Sequence, residues 1–263
     1  MCARSGRPAS DGCGRACAKL GRVPISPDVN RDDAGERPRR RAAPAWATAD
    51  VRDTGRGSSA WPVLLAGLPA LLFALITWQV TDGGPLLDAD RRISRAVLHP
   101  DRLSELLSDL GNVEVAVPVL VLAAGCAAWR GRRAGVPRWW GPPAAAVVPT
   151  AVLPAVVVPL KDWTHRGGTP VMPPGDGYFP SGHTATAAVA YGAAALVLLL
   201  WVRSHRARGV VVTVWAVLVL AVSYGLVRRG YHWPLDVVAS WCLSAVLLVV
   251  LRTVLHALHR RRT

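Results

Sequence analysis

Two short stretches of this sequence combine residue types that could handle an anion. In Phe179-Pro180-Ser181-Gly182-His183-Thr184, Pro and Ser immediately precede a long apolar run. Ser is a favoured helix N-cap. The N-terminus of a helix offers unpaired N–H groups and the positive end of the dipole, which together favour an anion. Gly182 would let the backbone approach that anion closely, and His183 stands beside it. The second stretch is Tyr231-His232-Trp233-Pro234-Leu235-Asp236. His232 and Asp236 are four apart and share one face of a helix start. The carboxylate would fix the imidazole tautomer and leave the other ring nitrogen free to attack. Nucleophilic histidine is an accepted form of covalent catalysis. The competing reading, a structural His–Asp pair at a helix cap, loses ground once the Ser-Gly-His element is set beside it.

Two cations accompany these stretches. Lys161 ends an apolar run and Arg166 follows it. Together they could clamp phosphate oxygens and stabilise the charge of a phosphoryl transition state. Lys161 could instead snorkel to a membrane interface. Asp162, His165 and Asp176 belong to the same stretch, and a wet loop accounts for them as well as a site does.

The elements that must position these residues are apolar and long. Of 263 residues, 51% are hydrophobic. The apolar residues fall in six runs: 61–80, 113–129, 141–160, 182–202, 210–227 and 235–251. Runs of about 18 apolar residues read as transmembrane helices. The fold class is therefore all-α, a polytopic membrane protein with six spans in a bundle. Gly and Pro within the runs, such as Pro118 and Pro154, are tolerated in membrane helices.

The net charge of +14 is unevenly placed. Arg130, Arg132, Arg133 and Arg138 follow the second run, Arg203, Arg206 and Arg208 the fourth, and Arg252, Arg260, Arg261 and Arg262 the sixth. With six spans all of these lie on the side of the Arg-rich N-terminal segment. The positive-inside rule puts both termini in the cytoplasm of a plasma-membrane protein. The connections 81–112, 161–181 and 228–234 then face outward, and they hold the chemistry-bearing residues. Between Leu86 and Leu110, Ile93, Val97, Leu103, Leu106, Leu107 and Leu110 recur near helical spacing, which suits an interfacial amphipathic helix or a plain connector.

Residues 1–57 lack periodic hydrophobicity and read as a disordered basic tail. Arg37, Arg39, Arg40 and Arg41 are its densest charge, either solvated or held at anionic lipid. Residues 58–256 form the membrane domain, and 257–263 a second basic tail. No apolar core follows the early charges, so the tail is not a signal peptide. Cys2, Cys13 and Cys17 lack zinc-site spacing, and Cys126 and Cys242 sit in apolar runs, so a disulfide framework is not expected. No nucleic-acid motif is present. The bilayer and a lipid bearing phosphate are the expected partners.

With these motifs in hand, the chain resembles the type-2 phosphatidic acid phosphatase superfamily, which includes membrane lipid phosphatases and vanadium haloperoxidases. The family pattern has three blocks: Lys, six residues, Arg-Pro; then Pro-Ser-Gly-His; then Ser-Arg, five residues, His, three residues, Asp. Here the second block is intact as Pro180-Ser181-Gly182-His183. The third ends intact as His232 and Asp236, and the first begins at Lys161. The resemblance implies that His232 attacks phosphorus, Asp236 orients it and His183 protonates the leaving oxygen. It assigns Lys161, Ser181 and Gly182 to phosphate oxygens and calls for no metal or other cofactor. Two positions depart from the pattern. Gly168 and Leu226 stand where the family has arginines, and Arg166 with Arg228 or Arg229 are the candidate replacements. The implied activity is hydrolysis of a lipid phosphate or diphosphate through a phosphohistidine. The chief alternative is a degenerate, non-catalytic binder of lipid phosphate. A haloperoxidase is disfavoured by the spans, and a transporter by the gathering of polar residues at one face.

Overall fold

Inside a bilayer the backbone has no water to bond with, and a helix satisfies its own N–H and C=O groups. The computed structural model describes residues 60–260, and all their regular structure is α-helical. The calls on residues 1–57, including the arginine run and Cys2, Cys13 and Cys17, lie outside the described residues, as do residues 261–263. The helices are α1 (Ala60–Thr81), α2 (Leu86–Val97), α3 (Arg102–Asp109), α4 (Val113–Arg133), α5 (Gly141–Thr164), α6 (Gly182–Leu199), α7 (His205–Arg229) and α8 (Pro234–Arg260). Six of them, α1 and α4 to α8, are long and apolar enough to cross a membrane. The chain is a multi-pass membrane protein.

The ends differ from the apolar windows in an understandable way. α4 runs on through Arg133, α7 begins at His205 and α8 continues to Arg260. Arginine is a good helix former and its long stem lies along apolar surface, so a helix does not stop where its hydrophobicity does. α6 stops at Leu199, three residues short of the expected 202, and a non-helical connection leads to Ser204.

α6 is the hub of the bundle and packs against α4, α5, α7 and α8. Its sequence is dense in Ala and Gly, which lets neighbouring backbones come close. At Gly192 a Cβ would sit 2.6 Å from Leu248 Cδ1 and 3.1 Å from Trp215 Nε1. Trp215 instead donates its indole N–H to the Ala188 carbonyl at 3.2 Å. α1 leans mainly on α8.

The segment before α4 is two helices, not one. The residue before a proline disfavours the α region, and His99-Pro100 breaks the run. Asp101 then starts α3 with a reciprocal cap: its Oδ1 accepts from the Ser104 N–H at 2.7 Å, and Ser104 Oγ accepts from the Asp101 N–H at 3.1 Å. Such a box satisfies two otherwise orphaned donors. α3 packs tightly on α7. A Cβ at Gly225 would lie 2.7 Å from both the Ser104 carbonyl oxygen and the Ser108 nitrogen. Successive spans alternate in direction, so the ends of α5 and α7 and the starts of α6 and α8 meet at one end of the bundle. α2 and α3 contact the spans at that same end.

Candidate active site

α6 opens with Ser181 in extended conformation, and its Oγ accepts from the Thr184 N–H at 3.3 Å while donating to Thr184 Oγ1 at 3.0 Å. The expected N-cap is therefore present. The same bonds engage within the cap the Ser181 hydroxyl that the resemblance assigns to phosphate. It is fully buried within the cap and does not line the cavity. Gly182 does line it, and a Cβ there would meet only open space.

That cavity has a volume of about 700 Å³ and is lined by Lys161, Tyr178, Gly182, His183, Tyr231 and His232 among others. Residues from three separate stretches thus converge. Gly111 sets the position of His183: a Cβ at 111 would fall 3.0 Å from the His183 carbonyl oxygen. His232 is buried at 6% exposure, and its Nδ1 lies 3.3 Å from Asp236 Oδ2. The other ring nitrogen is left for the cavity. Another cavity, of about 580 Å³, lies among α1, α6, α7 and α8 and is apolar apart from Ser244, Arg252 and the two indoles.

Asp236 is fully buried and holds more than His232. Its Oδ2 also accepts from the Trp233 N–H at 3.1 Å, and its Oδ1 accepts from Arg166 Nη1 at 2.6 Å. Arg166 Nη2 is bonded to Asp90 Oδ2, and Asp90 Oδ1 accepts from the Leu235 N–H at 2.8 Å. Burial pushes the Asp90 carboxyl above the usual carboxylate range, against the opposing pull of Arg166.

The candidate replacement arginines are all engaged elsewhere. Arg166 lies behind His232, tied to two carboxylates, and does not line the cavity. Arg228 binds Asp101 Oδ2 through Nη2 at 2.9 Å and Nε at 3.2 Å. Arg229 donates to the Tyr231 hydroxyl at 3.1 Å and the Asp101 carbonyl at 3.3 Å, and sits 3.5 Å from Glu105. The physical reason is that α3 brings its own carboxylates to the end of α7. The two departures also have a local account. A Cβ at Gly168 would lie 2.8 Å from the Tyr178 ring, so that ring occupies the space beside it. Leu226 is fully buried among Ala116, Leu120, Ala187 and Val222.

His165 caps α5 in the left-handed region and pairs with Asp176 at 3.0 Å, both side chains being exposed, and Asp162 is exposed too. These three fit the wet-loop reading. Among the described residues no group of three or more His, Cys, Asp or Glu is placed to hold a metal ion. The sequence reading overlooked Asp90 and Tyr178. Tyr178 lines the cavity and meets the His232 ring edge-on, centroids 6.4 Å apart. Asp90 had a signal: with Ser94 it forms a polar i,i+4 pair, and these are the buried residues of α2.

The sequence profile of the PAP2 superfamily matches residues 147–260, a range that includes Lys161, Ser181, His183, His232 and Asp236. No curated protein matches the chain significantly. Among solved structures, it is similar to a transmembrane PAP2-type phosphatidylglycerolphosphate phosphatase from Bacillus subtilis, at 21% identity and a TM-score of 0.61. That likeness covers 75% of this chain and 97% of the other, and at such identity it speaks for the fold. The profile match and the shared fold place residues 147–260 of this chain in the PAP2 superfamily.

Proposed function

We propose that this protein hydrolyses a lipid phosphate or diphosphate at the outer face of the cell membrane, with both termini in the cytoplasm. The His232 ring nitrogen facing the cavity attacks phosphorus, and the bond from phosphorus to the lipid oxygen breaks. His183 gives that oxygen a proton. Water then attacks the phosphohistidine, His183 takes a proton from it, and phosphate leaves as the nitrogen–phosphorus bond breaks. Asp236 holds the Nδ1–H and balances the imidazolium charge. Lys161 and the N–H groups at the start of α6 receive the phosphoryl oxygens. The reaction so written draws on no metal.

The observation that carries this reading is the buried His232–Asp236 pair on the wall of a cavity that also holds His183 and Lys161. The engagement of Arg166, Arg228 and Arg229 elsewhere favours the second reading, a binder of lipid phosphate without turnover. Phosphate release from a panel of lipid phosphates and diphosphates, in detergent with EDTA, separates the two. Wild type is expected to release phosphate, and His232→Ala to lose at least about a thousandfold of that activity. Equal release by both proteins, or none by either, would favour the binder.

A further inference from the structure

The His232–Asp236 pair is not closed on itself. Behind it a buried chain runs from Asp236 through Arg166 to Asp90, and Asp90 lies on α2, outside the matched residues 147–260. Asp90 also accepts the Leu235 N–H at the start of α8, the helix that carries Asp236. Leu235 lies in the first turn, where N–H groups have no partner within their own helix. One carboxylate from a helix outside the spans therefore supports both the backbone and the guanidinium that hold Asp236. The side chains of Arg166, Asp90 and Asp236 are 9%, 1% and 0% exposed, so little solvent screens them.

The charges decide what Asp90 contributes. Arg166 and Asp236 alone sum to zero, which would leave an imidazolium at His232 with no net negative charge behind it. Both oxygens of Asp90 accept from N–H donors, Arg166 and Leu235, which favours its carboxylate against the upward push of burial, and that carboxylate restores one negative charge. We propose that Asp90 is a positioning residue of this site: through Arg166 and the Leu235 N–H it fixes Asp236, and its carboxylate makes the buried chain behind His232 net negative. The inference rests on the phosphatase reading above for its link to turnover, though not for its electrostatics. The other polar and charged groups around the cavity are Lys161, His183, Tyr178, Tyr231 and Glu114, with Asp109 also acting on His183. Glu114 is a carboxylate, but it is exposed to solvent and lies outside the buried chain from Asp236 through Arg166 to Asp90, so it does not replace Asp90.

The test uses two variants of the full-length protein in detergent. Asp90→Asn keeps the shape and removes the charge, whereas Asp90→Glu keeps the charge and displaces the carboxylate. In Asp90→Asn, kcat is expected to fall about tenfold, and the acid limb of kcat/KM to move down by on the order of half a pH unit. Asp90→Glu is expected to leave that limb at its wild-type position even where kcat falls. The same shift is read without substrate from the ¹⁵N titration of His232, its signal identified by its loss in His232→Asn. An unmoved limb and titration in folded Asp90→Asn, or an equal displacement in Asp90→Glu, overturns the proposal. If wild type releases no phosphate from any lipid, the functional reading fails by itself, and the titration still decides the role of Asp90.

Discussion

Gly168 stands where the family pattern has arginine, and its surroundings explain why an arginine there would not simply restore the pattern. A Cβ at 168 would meet Tyr178 Cε2 at 2.8 Å and Met172 Cβ at 3.1 Å. The Tyr178 hydroxyl donates to the Pro173 carbonyl at 3.2 Å, so the ring is held from its far end. Gly168→Arg alone is therefore expected to cost about 1–3 kcal/mol of stability through overpacking, read as a lower Tm, with no gain in kcat/KM. Combined with Tyr178→Ala the new guanidinium has room. The double variant should then exceed the Tyr178→Ala single by about tenfold or more in kcat/KM, the effect of a charge-assisted bond to phosphate. A more active Gly168→Arg with unchanged Tm would sink this account. The histidines, Asp236, Lys161 and Gly182 were legible in the sequence because their chemistry is tied to spacing or to a helix start. The partners of Arg166, Arg228 and Arg229 were not. Each is paired with a carboxylate at least 70 residues away, and pairings at that distance depend on how the helices pack.

α2 and α3 each turn two polar residues inward while their other charged residues stay exposed. Asp90, Ser94, Ser104 and Ser108 are buried, while Ile93, Leu103 and Leu106 are 51–60% exposed. Read as a water-soluble amphipathic pattern, the apolar stripe would face the protein. For helices lying at a membrane interface the apolar side can face lipid instead, and the polar side then packs on the spans. The apolar periodicity between Leu86 and Leu110 leaves helix and plain connector open; two helices form there, and the periodicity does not disclose which face packs. The break at Pro100 is readable from the His99-Pro100 pair itself. The start of α3 carries a pH prediction. The Ser104 N–H, and then Arg228, hold the Asp101 carboxyl below its ordinary 3.8, at about 2. A carboxylate depressed in the folded state stabilises it above the unfolded value, and that contribution is lost as pH falls through the folded one. The gap in Tm between wild type and Asp101→Asn should accordingly be full at neutral pH and close between about pH 4 and pH 2. A gap that persists at pH 2 would show that packing, not the charge, is what Asp101 supplies.

The two ends of the bundle are built from different charge chemistry, and an expectation of orientation follows from it. At the site end Arg166, Arg228 and Arg229 each face carboxylates: Asp90 and Asp236, Asp101, and Glu105. The opposite end gathers Arg130, Arg132, Arg133, Arg138, Arg203, Arg206 and Arg208, with Trp129 and Trp201 beneath two of the guanidinium groups. Tryptophan is enriched at both membrane boundaries, whereas an excess of arginine in short connections is what the positive-inside rule associates with the cytoplasmic side. Arg166, Arg228 and Arg229 are neutralised in place, so these three carry less weight as retention signals than a count of arginines would suggest. We therefore expect the site end to face outward. Single cysteines introduced into a background from which Cys2, Cys13, Cys17, Cys126 and Cys242 have all been removed test this. Asp176→Cys, in the exposed connection between α5 and α6, should react with a membrane-impermeant maleimide in intact cells. Arg206→Cys, at the start of α7, should react only after permeabilisation. The reverse pattern would turn the bundle over and give His232 a substrate from the cytoplasmic leaflet. Equal labelling of both sites in intact cells would show a mixed orientation and remove the charge asymmetry as its determinant.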